Sequence, residues 1–372
     1  MRIAMLGQYP LDEHRIVGGI EAVMVPLLHS LADFDDLELH VVTCQPGVEE
    51  QQCITGSNLP LHIVKRRHLG RLTFHMRDVL RIQRTVAQIR PDVVHAQGTG
   101  IYAMAAVRSP YAHVVTMHGI ILSTHLRGLI DRICERYSLA RTKNLISINP
   151  CIEERLTRLG VFRGRMYRIE NPVDERFFGV NCQGEEVTIL YAGRVIPQKG
   201  LLNLLQVLAE LRKIYPQISL RVAGETESAP AYFKTCCEFV AQQKLEKAVT
   251  FLGSLTIEQM VQEFARCMVF VLPSKQDTAP VVVAEAMAAG RPVVATRGYG
   301  MKSMVEDEQS GLLVEYGDVE GWVQALSRLL SDPALRRRMG HRGRELAQAR
   351  FHPAVIASAT RVVYYEIAGS GC

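Results

Sequence analysis

Along this chain, short runs of apolar residues alternate with longer stretches in which apolar positions recur every three or four residues. The short runs have the length and β-branched content of buried strands, and the longer ones have the period of helices that pack by one face. In the first half the pattern predicts strands at residues 2–6, 37–43, 92–96, 113–117 and 144–148. Helices are expected at 20–31, 74–89, 102–107 and 126–140, the first of them kinked at Pro26, which has no N–H to give to the helix. The rhythm restarts with strands at 188–192, 220–223, 249–252, 268–272, 293–296 and 312–314. Between and after them fall helices at 201–214, 231–243, 257–265, 281–289 and 320–330, then a capped one from Ser331-Asp332-Pro333 and a last one at 353–367. Strands apolar on both faces, alternating with helices, make a parallel sheet covered on both sides.

Between the two halves lies a polar run, NCQGEE at 181–186, where the linker is placed. A chain of 372 residues is expected to form two domains at roughly 150 residues each. They are set at 1–178 and 187–352, with the stretch 353–372 packing back on the first. Both are expected to be doubly wound α/β units, although no residue-level repeat relates them. Hydrophobic residues make up 48% and charged residues 22%, as in a soluble globular protein. A net charge of +5 falls short of a nucleic-acid binder, so no nucleic-acid partner is expected. The nine cysteines are scattered and form no C-x-x-C pair, which suits reduced thiols in the cytoplasm. The chain opens on strand-type RIAML, and no apolar run reaches the length of a membrane span.

The chemistry concentrates at strand ends. In parallel α/β sheets ligands gather at the carboxyl ends of the strands. In the first domain a strand leads through a polar loop to Gly18-Gly19 and a helix, which reads either as a phosphate cradle, with unpaired N–H groups and no side chain in the way, or as a plain loop-to-helix hinge. In the second domain AGRVIPQKG, 192–200, puts Arg194 and Lys199 on one strand-to-helix loop. A rigid guanidinium fork and a compact ammonium beside a helix N-terminus suit a diphosphate. Further on, PSKQDTAPVVVAEAMAAG, 273–290, carries Asp277 in a loop and Glu285 on the following helix, with Pro280 expected at the first helical position. Two such acids can hold two ends of one polyhydroxylated ligand.

The succession A-G-R-x-x-x-x-K-G, then P-S-x-x-D with E-A-M-A-x-G-x-P-V-V-A, resembles the retaining GT-B glycosyltransferases of family 4. The resemblance runs from Gly18-Gly19-Ile20-Glu21 through Thr116-Met117-His118-Gly119 and Phe251-Leu252-Gly253 to Glu315. It implies two Rossmann-like domains facing across a cleft, the donor on the second and the acceptor reaching it from the first. It further implies transfer of a sugar from a nucleotide diphosphate sugar, a UDP- or GDP-sugar, to an acceptor hydroxyl on a glycan or a lipid-linked acceptor. Retention in that family is attributed to front-face attack, the departing phosphate taking the acceptor's proton, with no metal and no other cofactor. By the same resemblance Arg194 and Lys199 would hold the diphosphate and Gly18 and Gly19 would close over it. Asp277 would hold hydroxyls of the transferred sugar, Ala279 and Val281 would line sugar and phosphates through their backbones, and Glu285 would accept the ribose hydroxyls as an ionised carboxylate. His118 would touch the donor sugar near the reacting carbon, and His95 is taken as a packed strand residue.

Two departures from the family pattern bear on which sugar is used. Asp277-Thr278-Ala279-Pro280 stands where many relatives carry Glu followed by Gly-Phe-Gly, and Ser303 where they often have glutamate. A basic stretch, Lys65-Arg66-Arg67-His68 with Arg71, Arg77, Arg81 and Arg84, fits peripheral contact with an anionic membrane or an ordinary solvated helix face. The arginine-rich stretch 336–344 reads as an exposed helix. Alternatives to a transferase are an epimerase or phosphorylase on the same scaffold, or a non-catalytic sugar-nucleotide binder.

Overall fold

The computed structural model describes all residues except 14, 15, 17, 48–50, 55–57, 67–74, 120–125, 182–186 and 370–372, and for 51–54 and 126–128 the backbone only. The chain divides into two compact units, residues 1–172 with 353–372 and residues 173–352. The run expected as the linker lies almost wholly outside the described residues.

The first unit holds an eight-stranded sheet in the order β3-β4-β2-β1-β5-β6-β7-β8. Its strands are β1 (Arg2–Leu6), β2 (Glu38–Pro46), β3 (Gln51–Ile54), β4 (Pro60–Arg66), β5 (Val93–Gln97), β6 (Ala112–Met117), β7 (Asn144–Ser147) and β8 (Arg165–Arg168). All pairs are parallel except β3 with β4. The pleat divides the core as a period of two requires. Ile3 and Met5 of β1 join one cluster with residues of α1 (Gly19–Ala32) and α13 (Pro353–Gly369). Ala4 and Leu6 join another with residues of α2 (Met76–Ile89) and α3 (Ile101–Val107). Helix α1 continues through Pro26, a buried residue.

Strands β3, β4 and β8 and the helix α5 (Pro150–Leu159) do not figure in the sequence-based expectation. Lys65 and Arg66 therefore end a strand, and Arg81 of α2 donates to Lys65 O at 3.1 Å. Arg77 and Arg84 stay exposed on α2, while Arg67, His68 and Arg71 lie outside the described residues.

The second unit holds a six-stranded, all-parallel sheet in the order β11-β10-β9-β12-β13-β14. Its strands are β9 (Thr188–Ala192), β10 (Ser219–Ala223), β11 (Val249–Gly253), β12 (Val269–Leu272), β13 (Val293–Thr296) and β14 (Gly311–Val314). Helices α6 (Leu201–Ile214), α7 (Pro230–Gln242), α8 (Ile257–Arg266), α9 (Val281–Ala288), α11 (Val319–Ser331) and α12 (Pro333–Arg350) alternate with them, with a short α10 (Met301–Met304). The strand order reverses at β9/β12, the position where doubly wound sheets leave a crevice.

Helix α12 is not the exposed arginine helix the sequence suggests. Arg336 is buried and donates to Leu329 O at 2.6 Å and Leu330 O at 3.2 Å. Arg344 donates to Ala288 O and Val180 O, at 3.0 and 2.8 Å, and Arg342 pairs with Glu306. A guanidinium's five donors let it satisfy several carbonyls at once, so an arginine can be an interior residue.

Candidate active site

The site in the second unit is built where β9 and β12 end side by side. Gly193 N donates to Ala223 O and Val195 N to Glu225 O, both at 2.9 Å, which leads the β9 exit along that of β10. One 3-10 turn (Pro197–Lys199) follows, closed by Gly200 at φ +72°. A Cβ on Gly200 would stand 2.1 Å from Pro273 O, so only glycine allows the β9 loop to lie this close to the β12 loop. Two hydrogen bonds stitch the loops together, from Lys275 N to Gln198 O at 2.8 Å and from Ser274 Oγ to the same oxygen at 3.1 Å.

The stitching brings Lys199 and Asp277 together. Lys199 Nζ donates to both carboxylate oxygens, each at 2.7 Å, and the two side chains keep 18% and 16% of their surface exposed. An ammonium has three N–H bonds, so one remains for another acceptor, and the carboxylate keeps lone pairs for hydroxyl donors. Arg194 is exposed, and its guanidinium makes no hydrogen bond or ion pair among the described residues. Beneath the loop Tyr191 is buried and its hydroxyl donates to Arg194 O at 3.2 Å. The loop after β13 is tied in through Gly300 N to Asp277 O at 3.0 Å and Gln276 Nε2 to Tyr299 Oη at 2.6 Å.

Val281 begins α9 and Pro280 is its cap rather than its first helical residue. Ala279 and Val281 are half-buried. Glu285, one turn further on, does not match the ionised carboxylate expected from its resemblance. Burial, with Asp174 nearby adding like charge, pushes its pKa up to about 8, so at neutral pH most of it carries a proton. A protonated carboxyl both donates and accepts, which widens what it can offer a pair of hydroxyls. Asp174 belongs to the turn after Asn171-Pro172-Val173, where it caps a short 3-10 turn and pairs with Arg176.

In the first unit Gly18 caps α1 and Gly19 is its first residue. The Gly18 N–H already has an acceptor, Glu21 Oε2 at 3.3 Å. A Cβ on Gly19 would meet nothing within 4 Å, and no left-handed φ requires glycine there. His118, just past β6, approaches Gln97 Oε1 with its Nε2 at 2.7 Å. Burial lowers its pKa to about 4, so the ring is neutral near pH 7. His95 is a packed residue of β5, 1% exposed, with Tyr364 Oη at 2.7 Å from Nδ1 and Thr116 Oγ1 at 2.7 Å from Nε2. Gln97, which joins His95 to His118, passed unnoticed in the sequence, because an amide one residue before a strand's glycine exit carries no motif.

Residues 173–346 match the family model for glycosyl transferases group 1, and residues 17–177 that for glycosyltransferase family 4. An uncharacterised glycosyltransferase of Methanocaldococcus jannaschii is 24% identical over 361 residues, covering 94% of this chain and 95% of that protein. Sucrose-phosphate synthase from Thermosynechococcus elongatus superposes with a TM-score of 0.83 at 22% identity, each chain covered in full. The Anabaena protein HepE, in a complex with UDP and glucose, gives 0.78 at 19% identity over 98% of this chain and 100% of its own. No described helix is long and apolar enough to cross a membrane.

Proposed function

The chain belongs to the group 1, family 4 glycosyltransferases with the GT-B fold, and from that premise we propose that it moves a sugar from a nucleotide diphosphate sugar to an acceptor hydroxyl with retention. The observation that carries the proposal is the junction of the β9 and β12 loops, where Lys199 is braced by Asp277 and an exposed Arg194 stands on the same strand-to-helix loop. Charge grows on the diphosphate as the glycosidic bond breaks. Cations already in place stabilise it without reorganising, and removing one such contact typically costs about 10²–10³ in turnover.

In this scheme Lys199 keeps its ammonium oriented by Asp277 and spends its third N–H on a phosphate oxygen, while Arg194 supplies a fork for two more. Asp277 turns its remaining lone pairs to the hydroxyls of the transferred sugar, backbone groups of Ala279 and Val281 line it, and Glu285 holds the ribose. The departing phosphate takes the proton of the acceptor hydroxyl, so neither a carboxylate nucleophile nor a metal enters. Gly19 would meet no neighbour with a side chain, so its being glycine fits a phosphate approaching the open end of α1 together with Gly18. A neutral His118 contacts the donor sugar.

HepE holds UDP and glucose, which makes a UDP-sugar the first donor to try. On the acceptor side, exposed Arg77, Leu80 and Arg84 of α2, with Leu129, Arg132, Ile133 and Arg136 of α4 (Leu126–Arg141), combine cations and apolar side chains. Such faces suit a lipid-linked acceptor at an anionic membrane surface, with the protein on the cytoplasmic side. The test is a panel of UDP- and GDP-sugars read by thermal stabilisation and by turnover. A true donor at a hundred times its Kd stabilises by about 2.7 kcal/mol. In Lys199→Ala turnover should collapse; wild-type turnover in that variant would remove the basis of the proposal.

A further inference from the structure

Behind His118 runs a buried hydrogen-bonded line that neither the sequence motifs nor the proposed reaction uses. Tyr364, from the C-terminal helix α13, meets His95 Nδ1, His95 Nε2 meets Gln97 Nε2 at 3.2 Å, and Gln97 Oε1 meets His118 Nε2 at 2.7 Å. Tyr364 and His95 are buried, and so is Gln97 at 1% exposure. Met5 Sδ, a weak acceptor, lies 3.3 Å from the same amide nitrogen of Gln97, which sets the NH2 on the His95 side and the carbonyl on the His118 side.

From this geometry we propose that Gln97 is a positioning residue: backed by His95 and Tyr364, it locks His118 as the Nε2–H tautomer. The proposal rests on the assignment of His118 to the donor sugar. The amide orientation set by Met5 fixes the direction of the line. The amide NH2 only donates, and the Thr116 hydroxyl, 2.7 Å from the same nitrogen, can donate beside it, so His95 Nε2 accepts and its hydrogen sits on Nδ1, donating to Tyr364 Oη. An amide oxygen only accepts, so His118 must donate from Nε2. The Nδ1 of His118 is then a bare lone pair. Asn171 is buried beside the ring and interacts with it. The lone pair on Nδ1 suits a donor such as a sugar hydroxyl. Burial that depresses both histidines keeps the line uncharged.

The test reads the ring nitrogens of His118 directly, by 15N NMR of histidine-labelled full-length protein without substrate, with His118→Ala to assign the signal. The wild type should show the Nε2–H tautomer alone. Tyr364→Phe, a change that preserves shape two links away, frees His95 to move its hydrogen and lets the amide turn, so the His118 signals should become those of a tautomer mixture. In Gln97→Leu the lock is lost, and kcat should fall about 10²-fold, as for a reacting group held out of place, with donor KM and nucleoside diphosphate stabilisation unchanged. A wild-type Nδ1–H tautomer, or His118 nitrogens unmoved in Tyr364→Phe, overturns the lock. Because the NMR needs no substrate, an enzyme inert towards every nucleotide sugar would refute the functional assignment and leave this result standing on its own.

Discussion

Glu285 lets the electrostatics of the site be tested without knowing any substrate. Its pKa rises from 4.5, the ordinary value, to about 8 in the folded protein. As the pH climbs above 4.5 the unfolded chain gives up this proton while the folded protein keeps it, so stability drains away until both forms are ionised, just above pH 8. Each unit corresponds to about 1.4 kcal/mol, which sets a ceiling of roughly 5 kcal/mol. The side chain keeps some solvent access, and halving for screening leaves about 2.5 kcal/mol. In a unit of this size that is a shift in Tm of about 5–10 °C. Glu285→Gln keeps the shape and cannot ionise. Melting curves of ligand-free protein from pH 5 to 8.5 should therefore show the variant level with the wild type at the acid end and pulling ahead as the pH rises. A gap that stays constant with pH, or a variant less stable at pH 8.5, would refute the argument. Glu285→Ala, which removes both donor and acceptor, should lower nucleotide affinity about fivefold, since a net hydrogen bond is worth about 1 kcal/mol.

Other predictions follow from the loop junction and the buried cations. Gly200→Ala adds a left-handed penalty of about 1–2 kcal/mol to a clash with Pro273 O. Urea unfolding should show a loss above that figure, with turnover falling further because Lys199 is displaced. Arg194→Ala should leave stability within about 0.5 kcal/mol yet lower kcat about 10²-fold, a contrast that separates a ligand contact from a structural one. Lys199→Ala strands the Asp277 carboxylate at a cost of about 1–3 kcal/mol, and adding Asp277→Ala should recover part of it; an additive cycle would mean that the pair is not coupled. Arg336→Leu leaves the carbonyls of Leu329 and Leu330 unmet, and guanidinium or urea unfolding should register a loss of about 2–3 kcal/mol.

Elements were most legible in the second unit. Its strands are buried on both faces and its helices show one apolar face, so β9, β13 and α6 begin and end where the pattern places them. In the first unit β4 and β8 were missed. Strand β4 carries His62, Lys65 and Arg66 within its seven residues, and β8 reads RMYR, so neither shows the apolar run that marks an interior strand. Helix α5 was missed although Asn149 and Pro150 mark its start, with Asn149 capping Cys151 N at 3.0 Å.

The chain by itself determined where strands and helices fall in a parallel sheet and which charged residues sit at strand exits, because burial and backbone chemistry act over a few residues. The pairing of Lys199 with Asp277, 78 positions apart, depends on β9 and β12 becoming neighbours and on Gly200 letting their loops touch. The proton on Glu285, the buried arginine of α12 and the line from Tyr364 to His118 are likewise set by what surrounds each group. Desolvation and hydrogen-bond partners are properties of neighbours in space, and only the tertiary structure supplies them.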